Sequence, residues 1–361
     1  MTEQMPTLET VLCEMHRKNG TALGNWFGCA LPGDFGDWKR EYGFLRKTVA
    51  LIDKNYRTYL KFTGPDRVRY LNAILTNDIK GLKENHANVS LFLNPQGHIQ
   101  AEIETHALAE KLFCVSCAMI RERLIPALDK YIIMDDVTLE DRTSECSTLA
   151  LEGPQAAAVV TELTGVDLES PEELESREIS VNGMECRLVR RSSENRASAE
   201  FLGHAKDAAV LWTVLRDAAM KYEGGPAGYR ALNSLRLEQG IPWFGYDFGE
   251  KQIPHEAGLE NSHISYTKGC YTGQEIVERV RSRGQVNRVR VSLKFEGEQV
   301  PAANTPLLFE SKDVGYVTRV GFSPALNAWI GMGYLRREAS PVGTHLSAGS
   351  EHASVISTPI A

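Results

Sequence analysis

Lys268-Gly269-Cys270-Tyr271-Thr272-Gly273-Gln274-Glu275 brings a thiol, an ammonium, two glycines and a helix-start signal into one short stretch. Thr272 followed by Glu275 has the form of a capping box. Ile276, Val277 and Val280 continue at helical spacing. The pattern predicts a helix starting at Gly273, with Cys270 in the turn before its N-terminus. Free N–H groups and the positive end of a helix dipole favour a thiolate at such a place. Lys268 adds a positive charge nearby. Gly269 and Gly273 would let the backbone bend sharply or approach a ligand. Two readings stand: a reactive or ligand-contacting cysteine, or a small Cys packed in a tight turn.

Three further segments lead into this stretch: Arg236-Leu237-Glu238-Gln239-Gly240, Gly245-Tyr246-Asp247 and Pro254-His255-Glu256-Ala257-Gly258-Leu259. Carboxylates and a guanidinium this close together suit a polar ligand. They equally suit an internal Arg–Glu ion pair that fixes a helix.

Lys-Gly-Cys-Tyr-x-Gly-Gln-Glu resembles the signature of the YgfZ family of folate-binding proteins, relatives of the glycine-cleavage T-protein (aminomethyltransferase). The T-protein superfamily carries Arg-Leu-Glu-x-Gly, Gly-x-Asp and Pro-x-Glu-Ala-Gly-Leu in the same order before a Lys-x-x-Phe/Tyr-x-Gly motif. The likeness extends to Ile52-Asp53, to Phe62-Thr63-Gly64-Pro65-Asp66, to Val314-Gly315-Tyr316-Val317-Thr318 and to Ser323-Pro324.

The resemblance implies an α+β, T-protein-like fold: two α+β folate-binding units around a central cavity, plus a C-terminal β-barrel. Residues 1–284 would form the folate-binding region, as two α+β subdomains that need not be continuous, and 285–361 the barrel. It implies tetrahydrofolate or a one-carbon derivative as cofactor. Arg236, Glu238, Asp247, Glu256, Glu102 and Tyr271 would contact the folate. Cys270 and Lys268 would carry the chemistry.

One stretch departs from the aminomethyltransferase pattern. In Asn94-Pro95-Gln96-Gly97-His98-Ile99-Gln100-Ala101-Glu102, Ala101 and Glu102 stand where those enzymes have a pair of aspartates, one of them the catalytic acid. Ala cannot transfer a proton. Glu102 can if it points into the pocket. The Gly-Tyr-Thr-Gly-Glu signature is not recognisable between Arg190 and Glu200, and Ser116 sits where the T-protein has Asn. Whether the chain is an enzyme is left open.

These features order three readings. The first is a tetrahydrofolate-binding protein that supports assembly or repair of iron–sulfur enzymes, including the tRNA methylthiolase, with Cys270 as the functional thiol. The second is a folate-dependent aminomethyltransferase or demethylase using Glu102 or Asp247 as acid. The third is a non-catalytic folate sensor or scaffold. The expected partners are reduced folate and iron–sulfur enzymes.

Composition bounds the rest. The 361 residues are 42% hydrophobic and 24% charged, ample for a large core. A formal net charge of -7 argues against a general nucleic-acid binder. No apolar run reaches a membrane span, and Met1 to Thr10 resembles neither a secretory signal nor a transit peptide. A cytoplasmic protein is expected. Seven scattered cysteines fit reduced thiols better than a disulfide framework.

Along the chain, residues 7–50 read as a helix, a Gly/Trp/Phe-rich turn region (Asn25 to Trp38) and a polar helix. Arg57 to Phe62 alternates as a strand, Arg67 to Leu75 as a helix, and Val89 to His106 as a hairpin turning at Asn94-Pro95-Gln96-Gly97. Lys111 to Val115 is a strand and Ile120 to Tyr131 a helix. Similar elements recur more loosely from Thr148 to Ala219, past a Glu-rich stretch from Glu169 to Glu178 that suits a solvated surface. After Gly284 the pattern is all-β. Cys114-Val115-Ser116-Cys117 has redox-pair spacing but also suits a core strand. Arg279, Arg281, Arg283, Arg288 and Arg290 form a basic cluster suited to a phosphate, a polyglutamate tail or RNA, or simply to solvent. None of the nine histidines is assigned to a metal.

Overall fold

The computed structural model describes residues 7–168, 172–193, 196–297 and 299–360. Glu3 and Glu169 lie outside this set, as does the side chain of Arg283. Contacts divide the chain into two compact units. One takes residues through 71, 79–89 and 103–232; the other takes 72–78, 90–102 and 233–361.

The first unit holds a six-stranded sheet in the order Ser176–Val181, Met184–Ser193, Arg196–His204, Cys146–Glu152, Ala50–Asp53 and Gly225–Pro226. Its last pairing, Gly225 on Ala50, is parallel. The helices Ala156–Thr164 and Ala208–Lys221 cover one face. Leu211, Leu215 and Ala218 recur at helical spacing and pack on Leu149, Leu151 and Phe201, all buried. Each such leucine contributes roughly 1.5–3 kcal/mol by leaving water.

A second sheet runs Ala87–Leu93, Ile99–Leu108, Lys111–Cys117, Arg57–Thr63 and Thr138–Asp141. Within the first unit Tyr59, Phe113 and Val115 of this sheet meet Leu202 and Cys146 of the six-stranded one. The Tyr59 hydroxyl reaches Thr148 Oγ1 at 2.7 Å, so the phenol is satisfied inside the apolar layer.

The second unit contains a closed six-stranded barrel, in the order Arg288–Phe295, Ala328–Arg336, Lys312–Ser323, Pro306–Phe309, His345–Ala348 and Glu351–Ile356. Leu293, Leu307, Val317, Leu335 and Leu346 fill it. Closure leaves no sheet edge exposed. Two α+β sheets and a C-terminal barrel are the expected T-protein-like architecture. The contact division places residues 233–287 in the same unit as the barrel strands.

Two local expectations need correction. The region from Asn25 to Trp38 is not only turn: Leu23–Trp26 pairs with Cys29–Pro32 as a hairpin. Its two-residue turn puts Phe27 at φ 55° and Gly28 at φ 74°. A phenylalanine carries no turn signal, which hid the hairpin in the sequence. The capping box also fails. The helix Gln274–Arg283 starts one residue later, after Gly273 at φ 82°, with no side-chain cap. Glu275 pairs instead with Arg279 at 2.6 Å.

Candidate functional site

All eight residues implied as site residues fall in the second unit. The helix Tyr229–Glu238 supplies Arg236 and Glu238, both buried. Arg236 forms an ion pair with Asp247. Its other donors reach Asn233 Oδ1 at 2.9 and 3.1 Å and the Ile241 carbonyl at 3.3 Å. Its guanidinium lies 4.7 Å from the Trp243 ring centre. Asp247 also accepts from Thr318 Oγ1 at 2.6 Å and from the Trp243 N–H at 2.9 Å. Glu238 accepts from Ser323 Oγ at 2.6 Å and from the Ala325 N–H at 3.3 Å, which ties the helix end to the barrel. Glu256 accepts from the Ile253 N–H at 3.2 Å. Burial pushes its carboxyl above the ordinary range.

The opening stretch is held differently. Lys268 Nζ donates to the carbonyls of Asn72, Leu75 and Asn77 at 2.7, 2.5 and 2.8 Å. These lie at the C-terminal end of the helix Arg67–Ile74, where carbonyls lack helical partners. The ammonium therefore caps a helix. It also sits 5.3 Å from the Tyr271 ring centre. Tyr271 is buried, its hydroxyl has no hydrogen-bond partner among the described residues, and burial keeps the phenol protonated. Cys270 is exposed.

The motif turn is fitted to the hairpin turn by two glycines. A Cβ on Gly273 would lie 2.7 Å from the Asn94 carbonyl. A Cβ on Gly97, itself at φ 78°, would lie 2.8 Å from Ile276 Cβ. Gly269 has open space around it, and the close approach at Gly273 is to the chain's own Asn94 carbonyl.

This packing carries Glu102 in the strand Ile99–Leu108, next to the fully buried Ala101. Glu102 Oε1 meets His263 Nε2 at 3.0 Å. His263 Nδ1 meets Ser262 Oγ at 2.7 Å, and the His263 carbonyl accepts from Thr76 Oγ1 at 2.6 Å. The Thr76 hydroxyl also receives the Leu91 N–H at 2.8 Å, so one buried threonine fixes both hairpin and loop. Sequence reasoning missed His263: it stands 161 residues from Glu102 and belongs to no motif.

The first unit holds a second group that spacing does not reveal. Arg57 grips Glu200 through two 2.7 Å bonds, and Arg191 grips Glu104 through two of 2.6 Å. Arg191 also bonds Glu200 at 2.6 Å. The cationic partners hold both carboxyls down against burial, Glu200 to about 2.

The remaining candidates disperse. Cys114 and Cys117 are both buried, and burial pushes the Cys114 thiol up to about 12. Arg279 and Arg281 pair with Glu275 and Glu278, while Arg290 bonds the carbonyls of Ala257 and Gly240. Among the described residues no cluster of His, Cys, Asp or Glu could hold a metal ion. No helix among them is long and apolar enough to cross a membrane.

Residues 12–264 match the GCVT N-terminal domain, and residues 288–360 match the glycine cleavage T-protein C-terminal barrel domain. The chain belongs to the glycine-cleavage T-protein family. It is 28% identical over 329 residues to an aminomethyltransferase of Rubrobacter xylanophilus, covering 91% of this chain and 87% of that protein. It is 25% identical over 341 residues to one from Caldanaerobacter subterraneus, covering 94% and 90%. Glycine cleavage system aminomethyltransferase T of Bartonella henselae has the same fold, with a TM-score of 0.88, 24% identity and 98% coverage of both chains. These T-protein relatives favour the transferase reading over the iron–sulfur reading that the signature placed first.

Proposed function

We propose that this chain binds a reduced folate and performs a T-protein-type one-carbon transfer, with Glu102 as the proton-transferring acid. The observation that carries this reading is the Glu102–His263 contact of 3.0 Å, directly after the hairpin turn. His263, itself in contact with Ser262 Oγ at 2.7 Å, orients the Glu102 carboxylate. Glu102 thereby takes the part that the missing aspartate leaves vacant beside Ala101. The aminomethyltransferase names of the relatives support the same reaction class. A bound tetrahydrofolate would supply the nitrogens that accept the one-carbon unit. The Tyr271 hydroxyl, without a hydrogen-bond partner among the described residues, suits a polar group of such a ligand. Arg236, Glu238, Asp247 and Glu256 would shape the site mainly through the contacts they already make, and Lys268 would hold the motif in place.

The test is formation of methylenetetrahydrofolate and ammonia from an aminomethyl-loaded lipoyl carrier protein. Glu102→Gln should lower kcat by about 10²–10⁴ while folate affinity stays unchanged. Absence of wild-type turnover, with folate still bound, would overturn the transferase reading.

One observation favours a second reading, in which the folate protein supports iron–sulfur enzymes through a thiol. Cys270 is the exposed cysteine, whereas the other six are buried or half-buried. That reading requires Cys270→Ser to fold normally, yet fail to rescue iron–sulfur enzyme activity in cells lacking the protein. Full rescue would remove the thiol from the function.

A further inference from the structure

His263 stands in a stretch that no regular element supports. Between the helices Pro254–Ala257 and Gln274–Arg283 the chain forms neither helix nor strand. Glu102, by contrast, lies on the strand Ile99–Leu108 and is held by its sheet. Their 3.0 Å contact therefore needs a tie between loop and sheet.

Thr76 supplies that tie, and every residue involved lies in the second unit. Its hydroxyl donates to the His263 carbonyl at 2.6 Å and accepts the Leu91 N–H at 2.8 Å. Its backbone works in parallel. The Thr76 N–H donates to the Leu91 carbonyl at 3.1 Å, and the Thr76 carbonyl accepts the Ser265 N–H at 3.0 Å. Leu91 belongs to the strand Ala87–Leu93, the hydrogen-bonded neighbour of the strand that carries Glu102. Thr76 is itself fixed: it is fully buried, and Lys268 holds the carbonyls of Asn72, Leu75 and Asn77 on either side of it. A valine of the same shape would leave the buried Leu91 N–H without its side-chain acceptor and free the His263 carbonyl to move.

We infer that Thr76 is a positioning residue for Glu102: it sets the His263 backbone so that the imidazole reaches the carboxylate. The tie runs through a carbonyl, so the role is the same whichever ring nitrogen of His263 carries the proton. The effect of Thr76 on turnover rests on Glu102 being the acid, as proposed above; its effect on the Glu102–His263 contact does not.

The test reads the contact and the reaction separately, on the full chain. Long-range proton–nitrogen NMR spectra report the His263 imidazole, assigned with His263→Asn. In wild type, Glu102→Gln should shift those signals. In Thr76→Val they should already be shifted, and adding Glu102→Gln should move them little further, because the two substitutions break one contact. Thr76→Ser, which keeps the hydroxyl, should restore the wild-type spectrum. Unfolding curves show whether Thr76→Val folds; if it does not, Thr76→Cys, with a weak donor in the same place, takes over the comparison. In the transfer assay Thr76→Val should lower kcat by about 10–10² with the folate KM unchanged, and Thr76→Ser should recover it. A wild-type His263 spectrum in Thr76→Val, a full Glu102→Gln response in that background, or a Thr76→Ser that behaves like the valine would overturn the assignment. Absence of wild-type turnover with the spectral coupling intact would overturn the transferase reading and leave the positioning role standing.

Discussion

Arg236 and Asp247 form a buried ion pair, and each also hydrogen-bonds to neighbours of the same unit. Such a pair owes little to Coulomb attraction net of desolvation, but removing one partner strands the other. Arg236→Ala should destabilise the protein by about 3–5 kcal/mol, read from denaturant unfolding. Asp247→Asn, which keeps two acceptor contacts possible, should cost less. If Arg236→Ala leaves stability unchanged and folate binding weakened, the guanidinium serves the ligand rather than the framework.

Lys268 offers a similar separation of roles. Its ammonium holds three carbonyls at the end of the helix Arg67–Ile74. Lys268→Met keeps the aliphatic stem but loses every one of these bonds. A loss of about 1.5–3 kcal/mol in stability is expected, again by denaturant titration. Alkylation of Cys270 should proceed at the wild-type rate in this variant if the lysine acts as a cap and not as an activator.

Acid should unfold the first unit through Glu200. Burial opposes its ionisation, but Arg191, Arg57 and Lys54 outweigh burial and bring the carboxyl from an ordinary 4.5 down to about 2. A depressed folded value contributes stability above the unfolded value and loses it as pH falls toward the folded one. Stability should therefore decline from about pH 4.5 toward about pH 2. Urea midpoints across that range test this. Glu200→Gln should flatten the slope and, because Arg57 loses the carboxylate it grips while Arg191 keeps only Glu104, lower stability at neutral pH. An unaltered slope in that variant would assign the acid sensitivity to other carboxylates.

Cys270 should react first with iodoacetamide. It is exposed, whereas burial raises the Cys29, Cys114 and Cys186 thiols to about 12 and Cys146 to about 11. Mass spectrometry after brief alkylation should find one modified site, at Cys270. Prior labelling of another cysteine would show that the buried thiols open more readily than their packing implies.

Much of the fold could be read from local pattern. The strand from Arg57, the hairpin turning at Asn94-Pro95-Gln96-Gly97, the helix after Gly273 and the strands beyond Gly284 all follow from periodicity and turn chemistry, which act between residues close in sequence. Where a local signal was absent, as at Phe27, or was outcompeted, as at Thr272, the reading failed.

The sequence by itself determined which residues cluster along the chain, and the family they belong to. Tertiary structure alone decided their partners. Arg236 meets Asp247, not Glu238, because the chain after the helix folds back over its end. Lys268 spends its donors on carbonyls nearly two hundred residues away, and Glu102 meets a histidine that no motif contains. Hydrogen bonds and ion pairs form at distances of a few ångströms, and sequence spacing carries that information only within a helix, a strand or a turn. Across elements, the packing of Gly97 on Ile276 and of Gly273 on Asn94 sets which charges come within reach.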